Sequence, residues 1–193
     1  MVIRQQVYTV DDVWEIAHQP ENEMNYFDLI EGELFEMSPP GGIHGRLASK
    51  ISRYIGIFAD EHNLGEVTVE TGYHPPNNRN TLLSPDVAFL SKAKVPKPFP
   101  DKYIPIMPDL AIEIVSPSDA LRQVRRKAMI YLQNGAQMVW IVLPSEQGVD
   151  VCRSVDGARL DIEFVEQDGV LFGENILPNF ELKVSMLFPI SEP

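Results

Sequence analysis

Residues 107–119 read "MPDLAIEIVSPSD". A Pro-Asp pair leads into an apolar run, Leu110-Ala111-Ile112, then one acid, Glu113, then Ile114-Val115. Five to seven apolar residues bounded by turn formers read as a short strand buried on both faces, the kind found at the centre of a sheet. A carboxylate inside such a strand is costly to bury unless something compensates it. Upstream, residues 81–90, "TLLSPDVAFL", repeat the pattern with Asp86 at the head of Val87-Ala88-Phe89-Leu90. Two acids on two core strands set the question of fold and function together.

Outward from this pair, the pattern alternates between helical and strand periods. Thr9 followed by Asp12 has the form of a helix cap, and Val13, Ile16 and Ala17 continue at helical spacing, giving a helix over 9–19. "YFDLIEGELFEM" (26–37) reads as a hairpin turning at Glu31-Gly32. Leu47, Ile51, Tyr54, Ile55 and Phe58 recur at three and four, an amphipathic helix over 43–61. "GEVTVETGY" (65–73) alternates as a strand, and the proline-rich piece 95–108 reads as a loop. Ser118 is placed to cap a helix over 119–134, whose stripe is Leu121, Val124, Ala128, Tyr131 and Leu132 and whose stop is Asn134-Gly135. "AQMVWIVLP" is a second buried strand, and Asp-Gly turns divide the rest into antiparallel strands. The expectation is one α/β (α+β) domain over 1–193: a mixed central sheet flanked by helices, with a β-rich C-terminal extension.

Composition narrows the function. The chain has 193 residues and a net charge of −12, which argues against gripping nucleic acid by bulk electrostatics. The densest basic run is Arg122, Arg125, Arg126 and Lys127, which also suits a solvated helix face. No apolar run approaches a membrane span, and "MVIRQQVYTVDDVWEIAHQ" holds no continuous apolar stretch of a secretion signal. A lone cysteine, Cys152, lies in no zinc-binding pattern and suits a reducing cytoplasm. "PGGIHG" lacks the Gly-Lys-Ser/Thr of a phosphate loop.

If the strands of Asp86 and Glu113 are neighbours, their carboxylates converge. Two acids in a partly dry site either shift their pKa values or share a cation. Mg²⁺ or Mn²⁺ suits such oxygens, and the carbonyl of Ile114 would add a third. Lys127 lies on the edge of the helix stripe, one turn before Tyr131, where its stem can follow the core and its head can reach a buried acid. Each residue has a plain alternative. Asp86 could cap a turn, Glu113 could sit in a structural pair, Lys127 could be a solvated helix residue.

The combined pattern resembles a known family. "PDV" (85–87), "EIVSPSD" starting 27 residues after Asp86, and "K...Y...GA..VWIV.P" from Lys127 to Pro144 are similar to the restriction-endonuclease-like proteins once grouped as a domain of unknown function, within the PD-(D/E)XK nuclease superfamily. "LIEGELFEMSPPGGIHGRLASKI" (29–51), with Glu33 and His44, and "LFGENILPNFELKVSMLF" (171–188) are similar to that family's opening and close. The resemblance implies a nuclease-like core with Mg²⁺ held by Asp86 and Glu113. It departs from the superfamily pattern at Val115, where a lysine is usual. It implies that this lysine has moved to the next helix, as Lys127. Glu33 is a candidate metal or water ligand, or an exposed turn-side acid. His44 is a candidate phosphate contact or proton carrier, or a helix-end residue. The resulting expectation is a Mg²⁺-dependent DNA endonuclease acting as a homodimer. The alternative is a nuclease-fold module, without catalysis, that binds nucleic acid or a protein partner.

Overall fold

The computed structural model describes residues 6–22, 25–37 and 39–188. Helix α1 (Val10–Ala17) starts as its sequence dictates: Thr9 caps it, and Asp12 returns the bond in a complete capping box. Strands β1 (Tyr26–Ile30) and β2 (Glu33–Met37) form an antiparallel hairpin. Its two turn residues, Glu31 and Gly32, both have positive φ (53° and 82°), the primed geometry that matches strand twist. Helix α2 (Gly42–His62) buries Leu47, Ile51 and Ile55, and ends on left-handed Asn63.

Six strands make the central sheet, in the order β3-β4-β5-β6-β7-β8: Gly65–Val69, Val87–Ser91, Leu110–Ile114, Met138–Leu143, Gly148–Val155 and Arg159–Val165. Only β5 and β6 pair in parallel, joined through helix α3 (Leu121–Gln133); the other pairs are antiparallel. The mixed sheet, with β5 in its interior, is what the apolar run 110–114 required. Helix α2 covers one face over Val87, Phe89, Ile112 and Trp140. The other face carries Ala88, Ala111, Val139 and Ile141 under α3 residues Val124, Ala128 and Tyr131.

Several boundaries differ from the sequence reading. The strand expected over 65–73 stops at Val69, because Glu70 takes a positive φ of 48°. Residues 81–86 stay outside β4; Leu82 and Leu83 make only isolated bridges before Pro85 interrupts pairing. Helix α3 begins after Ala120, which makes no side-chain cap, so Ser118 is not its cap. Asp119 instead accepts a hydrogen bond from the backbone N–H of Ser116 and tightens the loop. The C-terminal extension is smaller than expected, since β7 and β8 belong to the central sheet. What remains is a separate pair, β9 (Val170–Phe172) and β10 (Glu181–Lys183), packed beside α2.

Candidate active site

The site gathers where β4 begins, β5 ends and the hairpin leans over both. In the β4–β5 register Val87 pairs with Ile112, so the next step outward sets Asp86 opposite Glu113. Side chains alternate along β5. Ile112 and Ile114 pack under α2, and Glu113 turns to the α3 face.

Glu113 is buried at 7% exposure and satisfied on both oxygens. Tyr131 donates to Oε1 at 2.8 Å, and Lys127 donates to Oε2 at 3.0 Å. The Lys127 ammonium also touches Asp28 Oδ2 at 2.9 Å. Asp28 is itself buried and accepts the Ser84 N–H on Oδ1 at 3.0 Å. One cation therefore serves two buried carboxylates. Burial pushes the Glu113 carboxyl up to about 7 despite the neighbouring lysine. Lys127 moves the other way from an isolated buried lysine: Asp28 and Glu113 outweigh its desolvation and hold it firmly charged. Burial and the adjacent acids keep Tyr131 a neutral donor.

Asp86 forms the second half of the site. Its Oδ2 accepts the Ile114 N–H at 2.6 Å and lies 3.1 Å from His44 Nε2, on the first turn of α2. The hydrogen bond His44 donates to Asp86 raises the His44 pKa. Nδ1 of His44 is buried and has no partner among the described residues. A cleft of about 450 Å³ opens over Asp28, His44, Asp86, Glu113 and Lys127.

Asp86, Glu113, Lys127, His44 and Ile114 thus come together from four separate segments. Glu33 does not join them. It pairs with Ile30 at the turn end of the hairpin, is exposed, and lies outside the cleft lining. The hairpin acid that reaches the site is Asp28, which the sequence reading passed over. Its signal is the one that marked Glu113: a lone carboxylate in an apolar strand, here Phe27-Asp28-Leu29. Phe27 and Leu29 bury against Val10 and Val13 of α1, and the two-residue period turns Asp28 toward the cleft.

Among the described residues, no group of three or more His, Cys, Asp or Glu side chains is arranged to hold a metal on side chains alone. The donor set still fits a hard cation, which commonly takes one or two carboxylates and completes its shell with waters and substrate oxygens. The Val115 N–H bonds across to Val142, whereas the Ile114 N–H faces Asp86. A strand residue's own carbonyl points to the same side as its N–H, so the Ile114 oxygen faces Asp86 as well. Asp86, Glu113 and this carbonyl are the groups that could hold Mg²⁺.

The fold recurs in a solved protein. The chain is similar to the crystal structure titled "a putative nuclease belonging to DUF820 from Anabaena variabilis ATCC 29413", with a TM-score of 0.79, 23% identity, and coverage of 94% of this chain and 97% of that one. No curated protein matches. A family model described as "Uma2: Putative restriction endonuclease" matches residues 13–185, and the chain belongs to that family.

Proposed function

We propose that this protein is a Mg²⁺- or Mn²⁺-dependent endonuclease that hydrolyses DNA phosphodiester bonds in the cleft between the hairpin and α3. One observation carries the reading: the Lys127 ammonium stands on Glu113, 3.0 Å away, in a cleft that also contains Asp86 and its partner His44. Membership in the Uma2 family supports a nuclease-like role. Asp28, Glu113 and Lys127 together carry one negative charge in excess when both acids ionise, and a divalent cation would offset it. Such a cation supplies Lewis-acid polarisation of the phosphate and an acidified water. The residues do the rest. Lys127 has three N–H donors, and two are held by Asp28 and Glu113. The third is available to orient the attacking water or a phosphate oxygen. Tyr131 and Asp28 fix the lysine and Glu113 in one geometry. His44 is the proton carrier for the leaving oxygen.

The proposal includes a homodimer, the arrangement that brings two such sites to two strands, and a cytoplasmic location, in keeping with a single unpaired cysteine. Among the described residues, no helix is long and apolar enough to cross a membrane. The test is Mg²⁺ titration by calorimetry together with plasmid nicking, on wild type and Glu113→Ala. Binding and nicking that both vanish in the variant support the assignment. Absence of Mg²⁺ binding in the wild type sinks it and favours a nuclease-fold binding module.

A further inference from the structure

The cleft has two unlike walls. The hairpin presents Tyr26, Phe35 and Met37, which share one face of β1–β2 with Asp28 because Tyr26 pairs with Met37 and Asp28 with Phe35. Tyr26 is 37% exposed and Phe35 36%, so both rings meet solvent at the edge of the cleft. The opposite wall, formed by the loop before α3 and its first turns, presents Ser116, Ser118 and Gln123 together with Asp119, whose carboxylate accepts the Ser116 N–H. Lys127 and its partners Asp28 and Glu113 lie between the two walls.

Charge decides what this slot can hold. Among the described residues, six carboxylates line it against two permanent cations, Arg126 and Lys127. Duplex binding draws most of its affinity from many Lys and Arg contacts to phosphates. This cleft offers two. Its volume, about 450 Å³, suits a ligand of nucleotide size. A paired base hides its flat face in the stack. An unpaired base exposes that face, and aromatic side chains bind it without needing phosphate contacts. Hydroxyl and amide groups on the facing wall can meet the edge of a base stacked on the aromatic wall.

We infer that the cleft is a slot for an unpaired nucleotide of DNA, with its base on the Tyr26–Phe35 wall and its phosphate at Lys127, so that single strands, flaps and frayed ends are the substrate class. The inference rests on reading this cleft as the place where DNA is cut, and its test does not depend on hydrolysis. A labelled single-stranded deoxyoligonucleotide and the blunt duplex of the same sequence are titrated with the full chain by fluorescence anisotropy. Ca²⁺, which takes oxygen ligands as Mg²⁺ does, replaces it. The single strand binds at least about tenfold tighter than the duplex. Its affinity falls about 5- to 150-fold in Tyr26→Ala or Phe35→Ala, in line with stacking on one base. Tyr26→Phe, which keeps the ring, binds like wild type, and circular dichroism checks that each variant is folded. The affinity for the single strand also falls only shallowly with salt, as few phosphates are contacted. Equal or tighter binding of the duplex overturns the inference. So does wild-type affinity in folded Tyr26→Ala and Phe35→Ala, or no binding of the single strand. If the strand preference and its Tyr26 dependence hold while nicking is absent, the slot stands and the nuclease reading fails. If plasmid is cut but the preference is absent, the reverse holds.

Discussion

Lys127 decides the state of the site. Its stem runs along α3 and its ammonium ends between two acids that water hardly reaches. Removing one member of a buried ion network leaves the others uncompensated, and such losses run to about 3–5 kcal/mol. Lys127→Met is expected to lower stability by that order, read as a drop in urea midpoint. Lys127→Arg is expected to lose less, because the charge remains. The pH dependence follows from Glu113 and His44. Glu113 titrates near 7 in the fold against 4.5 for a free glutamate, so between those values the folded state holds a proton that the unfolded chain releases. Stability therefore falls as pH rises from about 4.5 to about 7, by on the order of 2–3 kcal/mol. His44, raised by Asp86, adds to the same trend: its contribution is complete below its ordinary 6.5 and is lost as pH rises through its folded value. Urea denaturation across that range should show the slope in the wild type and a flatter one in Glu113→Gln. An unchanged slope in the variant would assign it elsewhere.

At the scale of elements, the hairpin and α3 are clamped to the sheet by contacts that only these positions supply. Leu29 and Leu82 exchange both backbone hydrogen bonds at 2.7 Å, which hooks the hairpin to the segment before β4 and brings Asp28 over the site. Arg125 on the far side of α3 bonds to buried Asp150 of β7 at 2.7 Å and fixes the roll of the helix that carries Lys127. At the sheet edge, β3 approaches β4 so closely at Gly65 that an added Cβ would stand 1.9 Å from the Leu90 carbonyl oxygen. The obstacle is backbone, so it cannot swing aside. Gly65→Ala should cost about 1–3 kcal/mol, or more if β3 detaches, measured by thermal melting. The Thr9 cap and the hairpin turn were legible because their signals lie within four residues of one another, whereas the Ser118 cap was not found. The ends of β3 and β4 were not legible, because the positive φ of Glu70 and the missing N–H donor of Pro85 cut short runs whose composition reads as longer strands.

The whole molecule carries a charge of −12, and its excess acids repel one another more in the compact state than in the open chain. Raising NaCl from low to physiological ionic strength screens that repulsion. Stability should rise by about 1 kcal/mol, seen as a Tm increase of about 2–4 °C. A fall in Tm would show that the internal ion pairs outweigh the surface repulsion.

The sequence by itself determined the mixed sheet with β5 inside it and the helices, and it marked Asp86, Glu113 and Lys127 as candidates whose meeting depended on their strands being neighbours. These follow from period, turn chemistry and the cost of burying acids, all of which are local. It also determined the family, through motifs spread over most of the chain. Tertiary structure alone decided which hairpin acid reaches the site. Asp28 and Glu33 lie on one face of the same hairpin, and only docking on α1 and Leu82 sets Asp28 over Lys127 and leaves Glu33 at the exposed turn. It alone set His44 beside Asp86 and the aromatic hairpin wall opposite the serines of the loop before α3. Those contacts join residues far apart in sequence, and no local pattern encodes where such segments meet.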